Sequence, residues 1–256
     1  MKKIVILALL LASGAAQAQS RLDSVLSSKV LKVCTTGDYK PYSFLRPDGQ
    51  YEGLDISMAK ALAASLGAKK VEWVATSWKT LMPDFLAKQC DIALGGVSVT
   101  LKRQQTAWFA QLLGVDGKIP LVRCADKDRY QTLEQLNRPE VRLVEPAGGT
   151  NEAFVHSHLP QASLTLFHDN VTIFQQLVDN HADVMITDAS EARYQQQRFP
   201  TLCAINADRP LQYGEKAYMI PRDDISWKLY VDQWLHLSTA TGEYREIARQ
   251  WIGAQP

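Results

Sequence analysis

The sequence predicts an α/β protein made of two lobes, with a hinge and an interlobe cleft. Segments with strand character alternate with segments of helical periodicity, this alternation occurs in two successive sets, and the chain then returns to the first set. In open α/β sheets, ligands bind beyond the carboxyl ends of the strands. The loops at those ends are therefore expected to line the cleft.

The first eighteen residues have the pattern of a secretory signal peptide. A basic start, Met1-Lys2-Lys3, precedes an apolar run at 4–12 and a small-residue cleavage site that ends at Ala18. The run is shorter than the roughly 20 residues that a membrane-spanning helix needs. We expect export to the periplasm, cleavage near Ala18 and no membrane insertion of the mature chain.

The first α/β set predicts lobe 1, residues 19–117. Its strands and helices are predicted at 22–28 (helix), 30–35 (strand), 55–66 (helix), 71–74 (strand), 80–88 (helix) and 90–94 (strand). Gly67 supports the end of the second helix, because glycine favours the position after a helix. Strands that alternate with helices predict a parallel sheet with right-handed crossovers.

The second set predicts lobe 2, residues 118–213. Its strands are expected at 141–145, 164–168 and 182–187, the last two flanking a helix at 171–178. The chain then returns, so residues 214–256 should complete lobe 1. Two helices are predicted in this last part, at 225–239 and 243–251.

The charge balance gives no sign of a nucleic-acid partner. Lysine plus arginine number 28 and aspartate plus glutamate 27, so the chain lacks the basic excess that binds nucleic acid or an anionic membrane. The sequence also has no phosphate-binding glycine loop and no Gly-x-Ser-x-Gly elbow. Any anion site must therefore be local.

Four cysteines are spread widely and contain no Cys-x-x-Cys pair, so they predict neither a metal site nor another cofactor. In an oxidising compartment, disulfides are the expected fate of paired thiols. We predict a disulfide between Cys124 and Cys203, both in the middle of the chain. Cys34 and Cys90 each border an apolar strand, and the alternative for them is that both are buried and free.

Arg103 is a candidate for binding a ligand carboxylate. It falls in the first turn of a helix that Thr100 can cap, just after the strand at 90–94. A helix dipole favours acids at this end, so an arginine there is electrostatically out of place. The alternative is a solvated surface arginine, but the position at a strand's carboxyl end favours one that holds a carboxylate with two hydrogen bonds.

The segment Gly148-Gly149-Thr150-Asn151 opens a predicted helix and indicates an anion site. Free backbone N–H groups at a helix start bind anions, and glycine lets the ligand come close. The alternative is ordinary capping of the helix by Thr150 or Asn151. In the two-lobed arrangement this segment lies opposite Arg103, which favours the anion site.

Asp188 ends a predicted strand, and Glu191 follows three residues later. If the chain turns helical after Asp188, this spacing places both carboxylates on one side of the helix. The alternatives are a helix cap by Asp188 and a capping box that uses Glu191. The residues alone leave both interpretations open.

Aromatic and basic residues complete the list of cleft candidates. Tyr39, Tyr42 and Trp78 lie in loops that follow strands, where they either pack in the core or clamp a ring-shaped ligand. Lys118, at the start of lobe 2, is a further candidate for binding the substrate.

Several motifs resemble the polar amino-acid-binding proteins of ABC transporters. They are Gly53-Leu54-Asp55, Thr100-x-x-Arg103, Gly149-Thr150, Asp188, Gly242-Glu243-Tyr244 and Trp251. A narrower set resembles the cyclohexadienyl dehydratases, which are exported enzymes similar to these receptors. Its segments are TTGDYKP (35–41), TSW (76–78), GGTNE (148–152), DNVTIFQQ (169–176), TDA-x-EAR (187–193) and YVDQWLH (230–236).

The resemblance implies a periplasmic solute-binding protein fold and a carbon–oxygen lyase. Such an enzyme removes water and carbon dioxide from prephenate, giving phenylpyruvate, and/or from arogenate, giving phenylalanine. The resemblance implies that Glu191 is the general acid and Arg103 the carboxylate-binding arginine. The cleft positions that it implies are Tyr39, Trp78, Thr150, Asn151 and Asp188.

The alternative function is that of a non-catalytic receptor that hands an amino acid to a transporter. In a receptor, Asp188 would pair with the ligand ammonium, whereas a protonated acid such as Glu191 has no task.

One segment departs from the family pattern. It reads Phe109-Ala110-Gln111-Leu112-Leu113 where the relatives carry Phe-Ser-x-Pro-Tyr, so ligand contacts near the first crossing are not carried over.

Overall fold

The computed structural model describes residues 19–252, and the predicted signal peptide therefore lies outside the described residues. Within this range, none of the helices combines the length and the apolar character that a membrane crossing requires.

The described chain forms short strands, helices and one 3₁₀ helix, Cys124–Arg129. The strands are β1 Val30–Thr35, β2 Asp38–Tyr39, β3 Ser43–Leu45, β4 Tyr51–Glu52, β5 Lys70–Ala75, β6 Ile92–Ala93, β7 Ala107–Phe109, β8 Gly114–Arg123, β9 Arg142–Pro146, β10 Ser163–Phe167, β11 Val184–Asp188, β12 Leu202–Ala204, β13 Gln212–Lys216 and β14 Met219–Pro221. The helices are α1 Arg21–Ser28, α2 Leu54–Ser65, α3 Leu81–Leu86, α4 Leu101–Gln104, α5 Leu133–Leu136, α6 Thr150–His158, α7 Ile173–Val178, α8 Ala189–Arg198, α9 Ile225–Thr241 and α10 Glu243–Ile252.

The first sheet has the strand order β5-β1-β6-β14-β7. Strands β5, β1 and β6 are parallel, as expected, but β14 is antiparallel to both β6 and β7. The prediction of a purely parallel sheet is therefore wrong at this edge, because β14 enters from the second set in the opposite direction. Helices cover both faces: Leu31 and Val33 pack in the cluster that contains α2 and α9 residues, and Cys34 packs with Leu81 and Phe85 of α3.

The second sheet has the strand order β10-β9-β11-β8-β12. Strands β10, β9 and β11 are parallel, whereas β8 is antiparallel to β11 and to β12. Neighbouring residues of β11 alternate between two cores, since Met185 packs with α7 and Ile186 packs with α6. This alternation is typical of a strand that is buried on both faces.

Strands β8 and β13 connect the two sheets and pair antiparallel from Gly114↔Lys216 to Lys118↔Gln212. The predicted lobe boundaries at 117/118 and 213/214 fall inside this paired segment. We retain these boundaries as our proposed division of the chain. The pairing brings Lys216 into the region where the two sheets meet.

The described chain has two disulfides, one in each sheet region. Cys124 bonds to Cys203, with 4.9 Å between their Cα atoms, which confirms the prediction. Cys34 bonds to Cys90, with 5.6 Å between Cα atoms, so the alternative that both are buried and free is wrong. Both are buried as expected, but strands β1 and β6 are neighbours and bring the two thiols together.

A glycine turn after β6 positions the aromatic residues of the cleft. The Asp55 carboxylate accepts hydrogen bonds from the backbone N–H groups of Gly95 and Gly96, at 2.9 and 2.7 Å. A Cβ atom at Gly96, where φ is +75°, would lie 2.5 Å from the Tyr39 ring and 2.7 Å from the Tyr42 ring. Only glycine tolerates both this φ and this approach.

Candidate active site between the lobes

Asp188 is the centre of a buried ion cluster. Its Oδ1 atom lies 2.8 Å from Lys118 Nζ, while its Oδ2 atom accepts hydrogen bonds from Lys216 Nζ and, at 2.7 Å, from the Tyr39 hydroxyl. Burial opposes the negative charge, but the two ammonium groups outweigh it and hold the pKa of Asp188 well below its usual range. Asp188 occupies the N-cap position of α8, as the helix-cap alternative expects, but its side chain makes no capping hydrogen bond and pairs with the lysines instead.

Glu191 lies in the first turn of α8 and has no exposed surface. Its Oε2 atom accepts a hydrogen bond from the Thr187 hydroxyl, and its Oε1 atom has no hydrogen-bond partner among the described residues. Burial raises the pKa of Glu191 from 4.5 to about 8; the nearby charge of Asp188 acts in the same direction, and the Thr187 bond opposes it. The carboxyl group is therefore protonated near neutral pH.

Glu191 lies close enough to residues of the first sheet region for electrostatic effects between them. Its charge acts on Tyr39 and its pKa responds to Asp38, and both of these residues follow β1 in the first sheet region. The structure thus places Glu191 in a closed, dry region rather than in bulk solvent. The capping-box alternative for Glu191 is not observed, because its carboxyl group bonds to Thr187 instead.

Arg103 is buried, with 9% of its surface exposed, so the alternative of a solvated arginine is wrong. Thr100 caps its helix as expected, by accepting from the Arg103 backbone N–H at 3.1 Å. The guanidinium group donates to the Ser98 carbonyl oxygen at 2.8 Å. Burial lowers the pKa of Arg103 to about 10, and the charge of Asp188 is close enough to oppose this shift.

Helix α6 opens at Thr150, and Gly149 occupies its N-cap position without a side-chain cap. Thr150 and Asn151 do not cap it: both accept hydrogen bonds from Lys118 Nζ, at 2.9 and 2.5 Å. Lys118 therefore joins the helix start to Asp188. Burial lowers the pKa of Lys118, and Asp188 opposes this shift.

Tyr39 and Trp78 form an aromatic wall on the opposite side of the cleft. Their ring centroids are 5.3 Å apart in an edge-on arrangement, and Tyr42 stacks on Tyr39 at 5.8 Å. Trp78 faces Gly149 across the cleft. A Cβ atom added at Gly149 would lie 3.8 Å from the Trp78 indole. The two sides enclose a cavity of about 20 Å³, lined by Tyr39, Trp78, Ser98, Pro146, Gly149, Thr150, Asn151, Asn170 and Asp188.

Five predicted site residues line this cavity and Lys118 contacts three of them, whereas Arg103 and Glu191 do not line it; the five are Tyr39, Trp78, Thr150, Asn151 and Asp188. Sequence reasoning missed Lys216, Thr187, Asp38 and Asn170. Asn170 Nδ2 donates to the Asp38 carbonyl oxygen at 3.1 Å across the cleft, and Asn170 Oδ1 and Asp38 Oδ1 have no partners among residues 19–252. For Lys216, the sequence offered one signal: a charged residue within the strand segment that returns to the first sheet.

The segment that departs from the family pattern lies outside this cavity. The Gln111 backbone N–H donates to the Asp232 carboxylate at 2.8 Å, and Leu113 lines a second cavity, near the hinge. None of the side-chain hydrogen bonds described for Arg103 and Glu191 involves this segment.

A cleft with these groups suits an anionic ligand and a proton donor. Two cations, Lys118 and Lys216, pair with the Asp188 carboxylate, and Arg103 is close enough for the charge of Asp188 to act on it. The protonated Glu191 lies on the same helix turn. In a water-poor site these charges act more strongly than they would in water.

The chain belongs to the bacterial extracellular solute-binding proteins, family 3, whose family model matches residues 31–254. Within this class it is 49% identical over 244 residues to the cyclohexadienyl dehydratase of Pseudomonas aeruginosa, which is 95% of this chain and 90% of that protein.

Two solved structures of reconstructed ancestral proteins extend this comparison. An ancestral cyclohexadienyl dehydratase is 47% identical, with a TM-score of 0.58, and the match covers 93% of this chain and 98% of that one. An ancestral amino acid-binding protein, described as a precursor of cyclohexadienyl dehydratase, is 30% identical, with a TM-score of 0.83 and coverage of 91% and 100%. The solute-binding fold and the resemblance to the dehydratases are confirmed, and a lyase is better supported than a receptor.

Proposed function

We propose that this protein is a periplasmic cyclohexadienyl dehydratase. It converts prephenate to phenylpyruvate, and/or arogenate to phenylalanine, by removing water and carbon dioxide, with Glu191 as the general acid. The similarity to the P. aeruginosa enzyme over nearly the whole chain supports the activity. The extracellular solute-binding family and the signal-peptide pattern support export.

One observation carries the proposal: a fully buried glutamate, with its pKa raised to about 8, lies beside a ligand cleft that is rich in cations. A receptor that only binds and releases an amino acid gains nothing from such an acid. A dehydratase needs it, because the acid must hold its proton at neutral pH.

The chemistry requires a proton at one oxygen atom. The C–O bond to the ring hydroxyl breaks, and the Glu191 proton moves to that oxygen so that water leaves instead of hydroxide. The bond between the ring and its carboxylate breaks as well, its electron pair enters the ring, and carbon dioxide leaves. Glu191 Oε1, which has no partner within the described chain, is the atom that can carry the proton.

The remaining groups hold the two carboxylates. Arg103 and Lys118 supply positive charge, and the Gly149–Thr150 helix start, which Lys118 contacts through Thr150, supplies backbone N–H groups. Trp78 and Tyr39, whose rings are packed edge-on, supply apolar surface on which the ring can pack. Binding thus uses the architecture of a solute receptor, and catalysis adds one acid.

The direct test is Glu191→Gln, assayed with prephenate and with arogenate. Phenylpyruvate is followed by its absorbance in alkali, and phenylalanine by chromatography. We expect turnover to fall by about 10² to 10⁴, the usual contribution of a general acid, while substrate still binds. Glu134→Gln, at an exposed position of α5, is the control and should keep full activity.

Full activity in Glu191→Gln would remove Glu191 from the mechanism. A wild-type protein that binds amino acids but turns over neither substrate would favour the transport receptor instead. Recovery of the processed protein in an osmotic-shock fraction tests the periplasmic location, and an unprocessed protein in the cell pellet would contradict it.

A further inference from the structure

The carboxylate that would pair with an amino-acid ammonium is already occupied by lysines. Lys118 Nζ lies 2.8 Å from Asp188 Oδ1, and Oδ2 accepts from Lys216 Nζ and from the Tyr39 hydroxyl at 2.7 Å. A ligand ammonium would either displace one of these donors or approach Asp188 Oδ1, which accepts from Lys118 alone. In either position it would lie beside a lysine, at a cost from like charges.

The Lys216 side chain contacts groups on several sides of the cleft. It is 4% exposed, and its Nζ atom also contacts Ser98 Oγ at 3.0 Å and the Tyr39 hydroxyl at 3.4 Å. The ammonium lies 4.9 Å from the centre of the Tyr39 ring, within the range of a cation–π contact. Because β13 crosses between the sheets, the lysine reaches Asp188 in one sheet region and Ser98 in the other.

The cations exceed the charge that they neutralise. Within the buried ion cluster, Lys118 and Lys216 share the single carboxylate of Asp188, which leaves a surplus of one positive charge. A dianion balances this surplus together with the nearby charge of Arg103. A ligand with the same two carboxylates and an added ammonium carries one negative charge less. Its ammonium also lies next to one of the ligand carboxylates that the cleft must bind.

We propose that Lys216, together with Lys118, is a specificity-determining residue that makes the cleft select a dicarboxylate with a 2-oxo group over one with a 2-ammonium group. This inference rests on the proposed function and ranks its two substrates: prephenate is preferred to arogenate. The 2-oxo oxygen is an acceptor, which a lysine N–H can satisfy, whereas an ammonium has only donors to offer.

Asp38 and Asn170 offer an alternative position for a ligand ammonium. Each has a side-chain oxygen without a partner among the described residues, and the two residues meet across the cleft. A substrate that turned its ammonium towards these acceptors would avoid the lysines. A preference for arogenate in the wild-type enzyme would reveal this arrangement and overturn the proposal.

The experiment measures kcat/KM for both substrates in wild type, Lys216→Met and Lys216→Arg. Methionine keeps the apolar stem but removes the charge, so the ratio of prephenate to arogenate efficiency should fall by about tenfold or more, as for loss of a charged hydrogen bond. Arginine should restore most of the ratio. Lys88→Met is the matched control, because Lys88 pairs with Asp223 at 2.7 Å on the surface and should leave the ratio unchanged.

Circular dichroism and thermal unfolding show whether Lys216→Met folds. If it does not, Lys118→Met reports on the other oxygen of Asp188 and should shift the ratio in the same direction. An equal loss for both substrates, with the ratio unchanged, would give the lysines a structural role only and contradict the inference. Absence of turnover of either substrate by wild type would be a different failure, that of the proposed function itself.

Discussion

Glu191 and Asp188 show how two carboxyl groups in one chain segment acquire opposite protonation states. Both are buried, but two ammonium groups contact Asp188, whereas the nearest donor to Glu191 is a hydroxyl group. Burial therefore decides the outcome for Glu191, and ion pairing decides it for Asp188. Separated pKa values of this kind define the acid and the anion of a catalytic site.

The raised pKa of Glu191 predicts a pH-dependent stability. The folded state holds this proton up to about pH 8, while the unfolded chain releases it near 4.5, so the stability from this group declines as pH rises between these values. In Glu191→Gln, the free energy of unfolding should lose this decline, which amounts to about 1.4 kcal/mol per pH unit. Urea unfolding at several pH values measures the difference, and parallel curves for the two proteins would contradict it.

Arg103→Ala should weaken ligand binding by about 1.5 to 3 kcal/mol, the range for hydrogen bonds to charged groups. Calorimetry with prephenate in the Glu191→Gln background measures binding without turnover. Arg46→Ala is the control, since Arg46 pairs with Asp48 at an exposed site. Equal affinity before and after the Arg103 change would place the carboxylate elsewhere.

The position after a strand made Arg103 a candidate from the residues alone, whereas the role of Glu191 came from the family resemblance, because the residues alone left a capping box open. Lys216 was missed because its role depends on a contact with Asp188, 28 residues earlier, and on the pairing of β13 with β8. Thr187 was recognised only as the end of a strand. Which groups share a buried space is decided by tertiary packing, which single-residue patterns do not report.

At the scale of elements, long alternating segments were easier to predict than short ones. Helices α2, α9 and α10 begin and end within a few residues of their predicted limits. Strand β7, with three residues, and the small sheet β2-β3-β4 were missed because so few residues show no periodicity. The same limitation hid the antiparallel edge of the first sheet.

The disulfides predict element-level losses of stability. Cys34 and Cys90 are 56 residues apart, so removing their bond frees a long loop in the unfolded state and should cost about 4 kcal/mol by the chain-entropy account. Replacing both cysteines by alanine and measuring urea unfolding without reductant tests this. The equivalent change at Cys124 and Cys203, 79 residues apart, should cost a similar amount, and an unchanged midpoint for either pair would contradict the account.

At the scale of the whole molecule, a few polar contacts across the cleft hold the described arrangement closed. Tyr39 donates to Asp188 at 2.7 Å, and Asn170 donates to the Asp38 carbonyl oxygen at 3.1 Å. At Gly148, a Cβ atom would lie 2.7 Å from the Lys79 backbone, so glycine is required for this close approach. In this arrangement Glu191 has no exposed surface, which links the conformation of the molecule to its chemistry.

Tyr39→Phe should favour an open arrangement, because it removes a hydrogen bond to a charged group between the lobes. Small-angle scattering of the ligand-free protein should show a larger radius of gyration than for wild type. Tyr213→Phe is the control, since the Tyr213 hydroxyl bonds to Glu215 within one strand at 2.7 Å. Equal radii for Tyr39→Phe and wild type would show that the bond does not contribute to closure.

The most direct test of the account is the titration of Glu191 itself. Carbon-13 labelling of the glutamate side chains, with Glu191→Gln to assign the signal, gives the midpoint at which this carboxyl group loses its proton. The account predicts a midpoint near pH 8. A midpoint near the ordinary value of 4.5 would mean that Glu191 is ionised at neutral pH and is not the proton donor.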